Sequence, residues 1–251
     1  MELQRLFPRP GQTTPEQLIS GLDLGSRAPA TRPYLVLNMV TSIDGRAALE
    51  GATRGLGGEA DRLLFHHLRT QADALLVGAG TARVERYGRA TKSEELRAKR
   101  EQEGLEPDPV TVIVSGRLNL PADLPILQEP EARVIVATAA EHELVGVAAE
   151  VQYLRTGDDL PLLLARLREE HGVRSVLCEG GPTLNSHLLA AGAVDELFHC
   201  TSSQIVGGGS QPAMVEGRPL LEPADAELVW LHEAEGDLFA RWRIPRGHST
   251  Q

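Results

Sequence analysis

The segment from 176 to 192 has the residue types and spacing of an anion-binding turn. It reads VLCEGGPTLNSHLLAAG, an apolar run that ends at Glu179, then two glycines, then a helical pattern that begins at Pro182. Glycines let the backbone approach a ligand closely, and the free N–H groups and dipole at a helix N-terminus bind phosphate. The hydroxyls of Thr183 and Ser186 could add donors. The same pattern occurs in ordinary strand-to-helix turns, so a phosphate site and a plain turn both remain open.

Two other glycine-rich turns, GAGT at 78–81 and GGGS at 207–210, are weaker candidates. After GAGT, Arg83 stands where the G-x-G-x-x-G fingerprint needs its third glycine, and no clear acidic residue follows about 20 positions on. The standard dinucleotide fingerprint is therefore absent, although a nucleotide-binding turn of another kind, with Thr81 as a hydroxyl donor, remains open. The GGGS segment, taken alone, predicts a turn rather than an anion-binding nest.

The charge is unevenly distributed along the chain. The 251 residues carry 25 Lys and Arg against 35 Asp and Glu, a net charge of −10, which argues against a general grip on nucleic acid or anionic membrane. Residues 46–100 carry 11 basic and 7 acidic side chains, so this segment has a balance of +4 and the remainder −14. On the helix predicted there, Arg62, His66 and Arg69 form one stripe. It predicts either a clamp for a substrate phosphate or a solvated, ion-paired face.

The sequence lacks the motifs of several common kinds of catalytic or metal-binding site. The histidines show no HExxH spacing, so we expect no metal site. Cys178 and Cys200 lie in apolar runs without CxxC spacing, which argues against a disulfide framework or a cysteine zinc site. No serine-hydrolase elbow and no P-loop is present. With no apolar run of about 18 residues and no signal-peptide pattern, we expect a cytoplasmic protein that does not enter the membrane.

The positions of the apolar residues predict an α/β fold in three layers. Buried strands are predicted at 34–40, 74–77, 110–114, 133–137 and 173–178, and helices at 59–72, 141–149, 159–170 and 183–191. A short return strand is expected at 46–49, and a solvated helix or excursion at 91–106. The sheet is expected to be mixed and mostly parallel, with a C-terminal antiparallel hairpin at 227–232 and 238–244. We expect an N-terminal arm at 1–32 with at most one short helix, a single domain at 33–246, and a tail at 247–251.

Taken in order, four segments resemble the reductase of riboflavin biosynthesis. They are RPYLVLNMVTSIDGR (32–46), GEADRLLFHHLRTQADALLVGAGT (58–81), VTVIVSGRLNLP (110–121) and VLCEGGPTLNSHLLAAGAVDELFHCTSSQIVGGG (176–209). The resemblance is to the reductase domain of the bifunctional deaminase–reductase, which has a dihydrofolate-reductase-like fold, here in a stand-alone form without the deaminase. It implies reduction of 5-amino-6-(5-phosphoribosylamino)uracil, or of the closely related diaminopyrimidinone, to the ribityl form by hydride transfer from NADPH. It also implies a homodimer, for which the hairpin offers an edge.

The resemblance also assigns roles by position. Those along NADPH are Val40, Thr81, Glu85, Ser115, Gly180, Gly181, Pro182, Thr183 and Leu184; those facing the substrate are Thr53, Arg69 and Glu179. Asn38 would meet the reacting sugar, and Glu179 is the candidate proton donor, so these two are the expected catalytic residues.

The chain departs from the family's pattern in three places. Many fused relatives carry Lys at Asn38, Trp at Gly55 and Asp-Asp-Pro at Glu85-Arg86-Tyr87. The family's downstream phosphate-binding Arg has no direct counterpart, and Arg89 is its expected substitute. Two alternatives therefore stay open: a reductase of the same fold acting on a dihydropteridine such as dihydrofolate, and a non-catalytic nucleotide-binding protein.

Overall fold

A computed structural model describes residues 1–49, 51–217 and 219–245 of the chain. The predicted tail at 247–251 and the predicted domain end at 246 lie outside the described residues. In chain order the strands are β1 Leu3–Phe7, β2 Gly11–Thr13, β3 Tyr34–Ser42, β4 Ala74–Gly78, β5 Val110–Val114, β6 Arg133–Ala137, β7 Glu150–Leu154, β8 Ser175–Cys178, β9 Glu196–Ser202, β10 Glu227–Ala234 and β11 Asp237–Arg243. The helices are α1 Pro15–Ile19, α2 Glu59–Arg69, α3 Ala79–Val84, α4 Glu94–Gln102, α5 Leu160–His171 and α6 Pro182–Ala190.

The strands of the described residues form one sheet in the order β2-β1-β10-β11-β9-β3-β8-β4-β5-β6-β7. The part from β9 through β3 to β7 is parallel, and the part from β9 to β2 is antiparallel. Apolar residues cover both faces, as expected for parallel strands between helices. One buried cluster joins Leu35 and Leu37 of β3 to α5 and α6, and another joins Val36 to α1 and α2. The predicted three-layer α/β fold is confirmed.

The N-terminal segment differs from the expected arm, because β1 and β2 extend the sheet. β1 pairs with β10 and β2 pairs with β1. Leu3 is fully buried, in the same cluster as Trp230 and Phe239. The C-terminal hairpin is confirmed, but the expectation that it offers an edge for pairing is wrong. β10 is paired with β1 and β11 with β9, so neither strand of the hairpin has a free edge.

Two other expectations of secondary structure are wrong. Residues 141–149 form no helix, because the backbone N–H groups of Ala148 and Ala149 donate to the carbonyl of Leu127 instead of to their own segment. The return strand expected at 46–49 is reduced to isolated bridges. The charged segment does contain a helix, α4, and its Arg100 is fully buried. That guanidinium donates to the carbonyl of Ala72 at 2.7 Å and to that of Arg69, which fixes α4 against the end of α2.

Candidate active site

Two adjoining cavities open where β3, β4 and β8 end. In parallel sheets, ligands bind at the carboxyl ends of strands. The first cavity has a volume of about 510 Å³ and the second about 610 Å³. Both are lined by Met39, Thr53, Thr81, Glu85 and Glu179, so these five residues mark the junction between the two cavities.

The first cavity is built around the turn from β8 to α6, which lies directly against the end of β4. The N–H of Glu179 donates to the carbonyl of Leu76 at 2.9 Å, and the N–H of Gly78 donates to that of Gly180 at 2.8 Å. A Cβ at Gly181 would lie 2.5 Å from Thr81 Oγ1, so this close approach requires glycine. Within the described part of the chain no side chain caps the N-terminus of α6. Its first N–H groups therefore remain available to an anion.

Most of the residues predicted to contact the cofactor line this cavity. They are Thr81, Glu85, Ser115, Gly181, Pro182, Thr183 and Leu184. Gly180 does not line this cavity; its φ is +84°, and a Cβ there would lie 3.4 Å from the sulfur of Met39. Val40, predicted to contact the cofactor, lines the second cavity instead, as does Asn38, the residue expected to meet the reacting sugar. Ser186, considered as a hydroxyl donor, is buried and does not line either cavity.

The second cavity has a buried cluster of Arg69, Tyr87 and Glu179 at its base. Arg69 donates to the two carboxylate oxygens of Glu179 from Nε and Nη2, each at 2.8 Å. The Tyr87 hydroxyl donates to Glu179 Oε2 and accepts from Arg69 Nη2 at 3.2 Å. The guanidinium also stacks on Phe65, 4.0 Å from the ring centre. The side chains of Arg69 and Glu179 are only 9% and 5% exposed.

This geometry changes what Arg69 and Glu179 are available to do. All three guanidinium nitrogens face protein acceptors, since Nη1 lies 3.4 Å from the carbonyl of Ala90. Arg69 therefore holds Glu179 in place, and a substrate phosphate needs other cations. Glu179 accepts from three donors, which is the hydrogen bonding of a carboxylate. Tyr87 was not predicted to have a role. The signal for it was its position in the Glu85-Arg86-Tyr87 segment, where the family pattern differs.

Further cations surround the second cavity. Arg86 pairs with Asp123 at 3.1 Å, and Arg89 pairs with both Asp108 and Glu131 at 2.7 Å. Arg54, Arg62 and Lys92 also line the cavity, and within the described residues they form no ion pair. As far as the structure describes the chain, these two guanidinium groups and one ammonium group are therefore free to meet an anionic ligand. Arg89, the expected substitute for the family's phosphate-binding Arg, is already held by two carboxylates.

Thr53 and Glu85 form a contact across the junction of the two cavities. Both the N–H and the hydroxyl of Thr53 donate to Glu85 Oε1, at 2.8 and 3.0 Å. This contact joins the loop before α2 to the end of α3. One predicted substrate residue and one predicted cofactor residue thus meet where the cavities adjoin.

Two titratable side chains of α2 face the second cavity with altered acidity. Burial raises the pKa of Asp61 to about 6. The nearby Asp237 carboxylate adds to this increase, and a hydrogen bond from Cys200 opposes it. Burial, together with the charge of Arg69, lowers the pKa of His66 to about 4, so this imidazole is neutral at pH 7. Among the described residues no Lys or Arg forms an ion pair with the Asp61 carboxyl group, which lies at the opposite end of α2 from Arg69.

The GGGS segment has a structural explanation. The N–H groups of Val206 and Gly207 donate to the Asp44 carboxylate at 3.0 and 2.9 Å. A hydrogen bond from the Ser42 hydroxyl, together with these two bonds, lowers the pKa of Asp44 to about 2. A carboxylate of the chain therefore already takes these donors, and residues 208–210 form a bend.

Among the described residues no helix has the length and apolar character to cross a membrane.

Comparison with known proteins shows which family this chain resembles in sequence. The sequence matches the RibD C-terminal domain over residues 33–235. It is 33% identical over 215 residues to the 2,5-diamino-6-ribosylamino-4(3H)-pyrimidinone 5′-phosphate reductase of Archaeoglobus fulgidus, covering 83% of this chain and 96% of that one. The enzyme of the same name from Methanothermobacter thermautotrophicus is 34% identical over 221 residues, covering 85% of this chain and 99% of that one.

The solved structures agree with the sequence relatives. A pyrimidine reductase-like protein from Corynebacterium diphtheriae has a TM-score of 0.76 at 25% identity, over 93% of this chain and all of that one. A deaminase/5-amino-6-(5-phosphoribosylamino)uracil reductase from Thermotoga maritima has a TM-score of 0.71 at 25% identity, over 85% of this chain and 57% of that one. The chain thus spans a little over half of that bifunctional protein. It belongs to the RibD C-terminal domain family of reductases.

Proposed function

We propose that the chain is an NADPH-dependent oxidoreductase of riboflavin biosynthesis that reduces a ribosylaminopyrimidine 5′-phosphate to its ribityl form. The observation that carries this proposal is the junction of the two cavities. A glycine-built turn at the N-terminus of α6 lines one, cations that form no ion pair within the described residues line the other, and the buried Glu179 lies where they meet. The names of the archaeal relatives support the same reaction.

The residues of the first cavity fit NADPH. The N-terminus of α6 and the hydroxyls of Thr81 and Thr183 suit its phosphates, and the glycine at 181 allows the backbone to approach them. When bound, NADPH supplies a hydride; the chain aligns the reacting groups and excludes water. Ser115, at the end of β5, and Leu184 would contact the remainder of the molecule.

The second cavity suits the phosphorylated sugar. Arg54, Arg62 and Lys92 are free for the phosphate, while Thr53 and Asn38 offer polar groups to the sugar. We propose Glu179 and Asn38 as the catalytic side chains. Because Glu179 is held by Arg69 and Tyr87 as an acceptor, we assign it the orientation of the sugar hydroxyls, with the reaction's proton arriving through water.

The basic second cavity favours a phosphorylated substrate over a dihydropteridine. NADPH oxidation followed at 340 nm, with the ribosylaminopyrimidine phosphate and separately with dihydrofolate, tests this choice. We expect turnover of the first compound. Turnover of dihydrofolate alone would support the reductase alternative. Absence of both turnover and NADPH binding would support the non-catalytic one.

We also propose that the enzyme is a cytoplasmic homodimer. One face of the antiparallel strands carries Leu231, Leu238, Trp242 and Phe7, of which Leu238 and Phe7 are 39% and 42% exposed. A second copy would bury this apolar surface. In sedimentation equilibrium we expect a dimer that Leu238→Glu weakens. Val145→Glu, at an exposed position on another part of the surface, should leave it intact. A monomeric wild type would contradict the proposal.

A further inference from the structure

His66 lines the second cavity on the same face of α2 as two cations. It lies four residues after Arg62 and three before Arg69, so the three side chains are neighbours on the helix surface. Its ring centre lies 5.7 Å from that of Phe65, and within the described residues its buried Nδ1 has no hydrogen-bond partner. Nε2 is therefore the ring nitrogen that is left to meet a ligand in the cavity.

The charges around His66 are positive. The charged and titratable groups that act on its ring come from α2 and from the 89–92 segment; they are Arg62, His67, Arg69 and Lys92. Burial, together with these positive charges, lowers the pKa of His66 and keeps the ring neutral at pH 7. Arg69 is paired with Glu179, whereas Arg62 and Lys92 form no ion pair within the part of the chain that the structure describes. An anion bound by these two cations therefore lies beside the imidazole.

We propose that His66 is a ligand of the substrate phosphate and takes up a proton when the phosphate binds beside Arg62 and Lys92. The inference rests on the proposed function and concerns the phosphate end of the same site. A phosphate dianion offsets the positive charges that keep the imidazole neutral and adds an attraction of its own. Both changes favour the imidazolium, whose Nε2–H then donates a charge-assisted hydrogen bond to a phosphate oxygen.

A ligand that becomes charged only on binding discriminates between anions. Three permanent cations would attract any anion, whereas His66 gains its charge only when the bound anion outweighs burial and two neighbouring cations. A phosphate monoester carries about −1.5 to −2 charges at pH 7, and a carboxylate carries a single one. The arrangement therefore favours a phosphorylated ligand. Because binding raises the pKa of His66, the affinity for a dianion rises as the pH falls.

The direct test uses sulfate as the probe, because sulfate keeps both negative charges between pH 6 and pH 8 and cannot itself take up the proton. His67→Gln is the matched control, since His67 is the neighbouring half-buried histidine of α2 and lines neither cavity. The nitrogen chemical shifts of the His66 ring are identified by their loss in His66→Gln. At pH 6 we expect added sulfate to move them from neutral to imidazolium values and to leave those of His67 unchanged.

The pH dependence of sulfate affinity tests whether this proton contributes to binding. We expect the Kd of the wild type and of His67→Gln to fall about tenfold between pH 8 and pH 6. Asp61 also titrates in this cavity, so in His66→Gln we expect a smaller decrease, at most about threefold. Glutamine can donate a hydrogen bond but cannot gain a proton, so the difference between the two variants isolates the charge of the imidazolium.

Three results would overturn this role of His66. They are ring nitrogens that stay neutral with sulfate bound, a His66→Gln variant with the same pH dependence as the wild type, and a wild type that binds no sulfate. Sulfate binding requires neither NADPH nor turnover, so each of these results leaves the proposed function standing. The proposed function fails separately, if the wild type does not turn over the ribosylaminopyrimidine phosphate.

Discussion

Glu179 accepts hydrogen bonds from Arg69 and Tyr87 in a buried setting, and this cluster defines the site at the scale of single residues. Ion pairs of this kind contribute little net stability, because the desolvation of both charges offsets their attraction. Their value is geometric. Two parallel N–H···O bonds fix the carboxylate plane, which a Lys in place of Arg69 would not do.

Arg69→Ala should destabilise the protein strongly. Removing the guanidinium leaves the Glu179 carboxylate buried without a cation, so we expect a loss of about 3–5 kcal/mol in the free energy of unfolding in urea. Arg62→Ala, at an exposed position of the same helix, is the control and should change it by less than about 0.5 kcal/mol. Equal stabilities of the two variants would show that the buried pair is not formed.

The family resemblance indicates Arg69 and Glu179 as members of the site, but not their contact. The two lie 110 positions apart, and their pairing depends on how α2 packs beside β8. Tyr87 reaches Glu179 because Arg86 before it adopts a left-handed backbone conformation, φ 49°, that its residue type does not predict.

At the scale of elements, the site depends on the packing of the β8–α6 turn against α3. Gly181→Ala would place a methyl group 2.5 Å from Thr81 Oγ1 and push the β8–α6 turn away from α3. We expect the Kd for NADPH, measured by fluorescence titration, to rise at least about tenfold, since a loss of 1.4 kcal/mol gives that factor. Gly208→Ala, where a Cβ meets nothing within 4 Å, is the matched control. An unchanged Kd in Gly181→Ala would remove this turn from the cofactor site.

The sequence predicts elements well where an apolar run is long and buried, as in β3, β5, β6 and α6. It fails where tertiary contacts decide. The apolar residues at 144–147 suggest a helix. The backbone N–H groups that follow them, those of Ala148 and Ala149, instead donate to the carbonyl of Leu127. β1 is a short strand with exposed Leu6 and Phe7, and only pairing with β10, more than 200 residues away, makes it regular.

At the scale of the whole molecule, the net charge of −10 and the basic second cavity are compatible. The positive segment at 46–100 contributes Arg54, Arg62, Arg69 and Lys92 to that cavity. The acidic remainder disfavours polyanions at large, while the local excess of cations attracts a small phosphorylated ligand.

The N-terminal strands are part of the folded unit. Leu3→Ala should lower the free energy of unfolding by about 2–5 kcal/mol, because Leu3 of β1 is fully buried in the cluster that contains Trp230 and Phe239. Leu6→Ala, in the same strand but 45% exposed, should change it by less than about 0.5 kcal/mol. If the two variants unfold at the same urea concentration, the first 13 residues do not contribute to the core.

The central claim is that the junction of the two cavities supports hydride transfer to the sugar carbon of a ribosylaminopyrimidine phosphate. The most direct measurement uses NADPH deuterated at the transferred position of C4 and determines the mass of the ribityl product. The account predicts a product one mass unit heavier than that formed with ordinary NADPH, with the deuterium on C1′ of the ribityl chain. Product without deuterium, or no ribityl product, would contradict it.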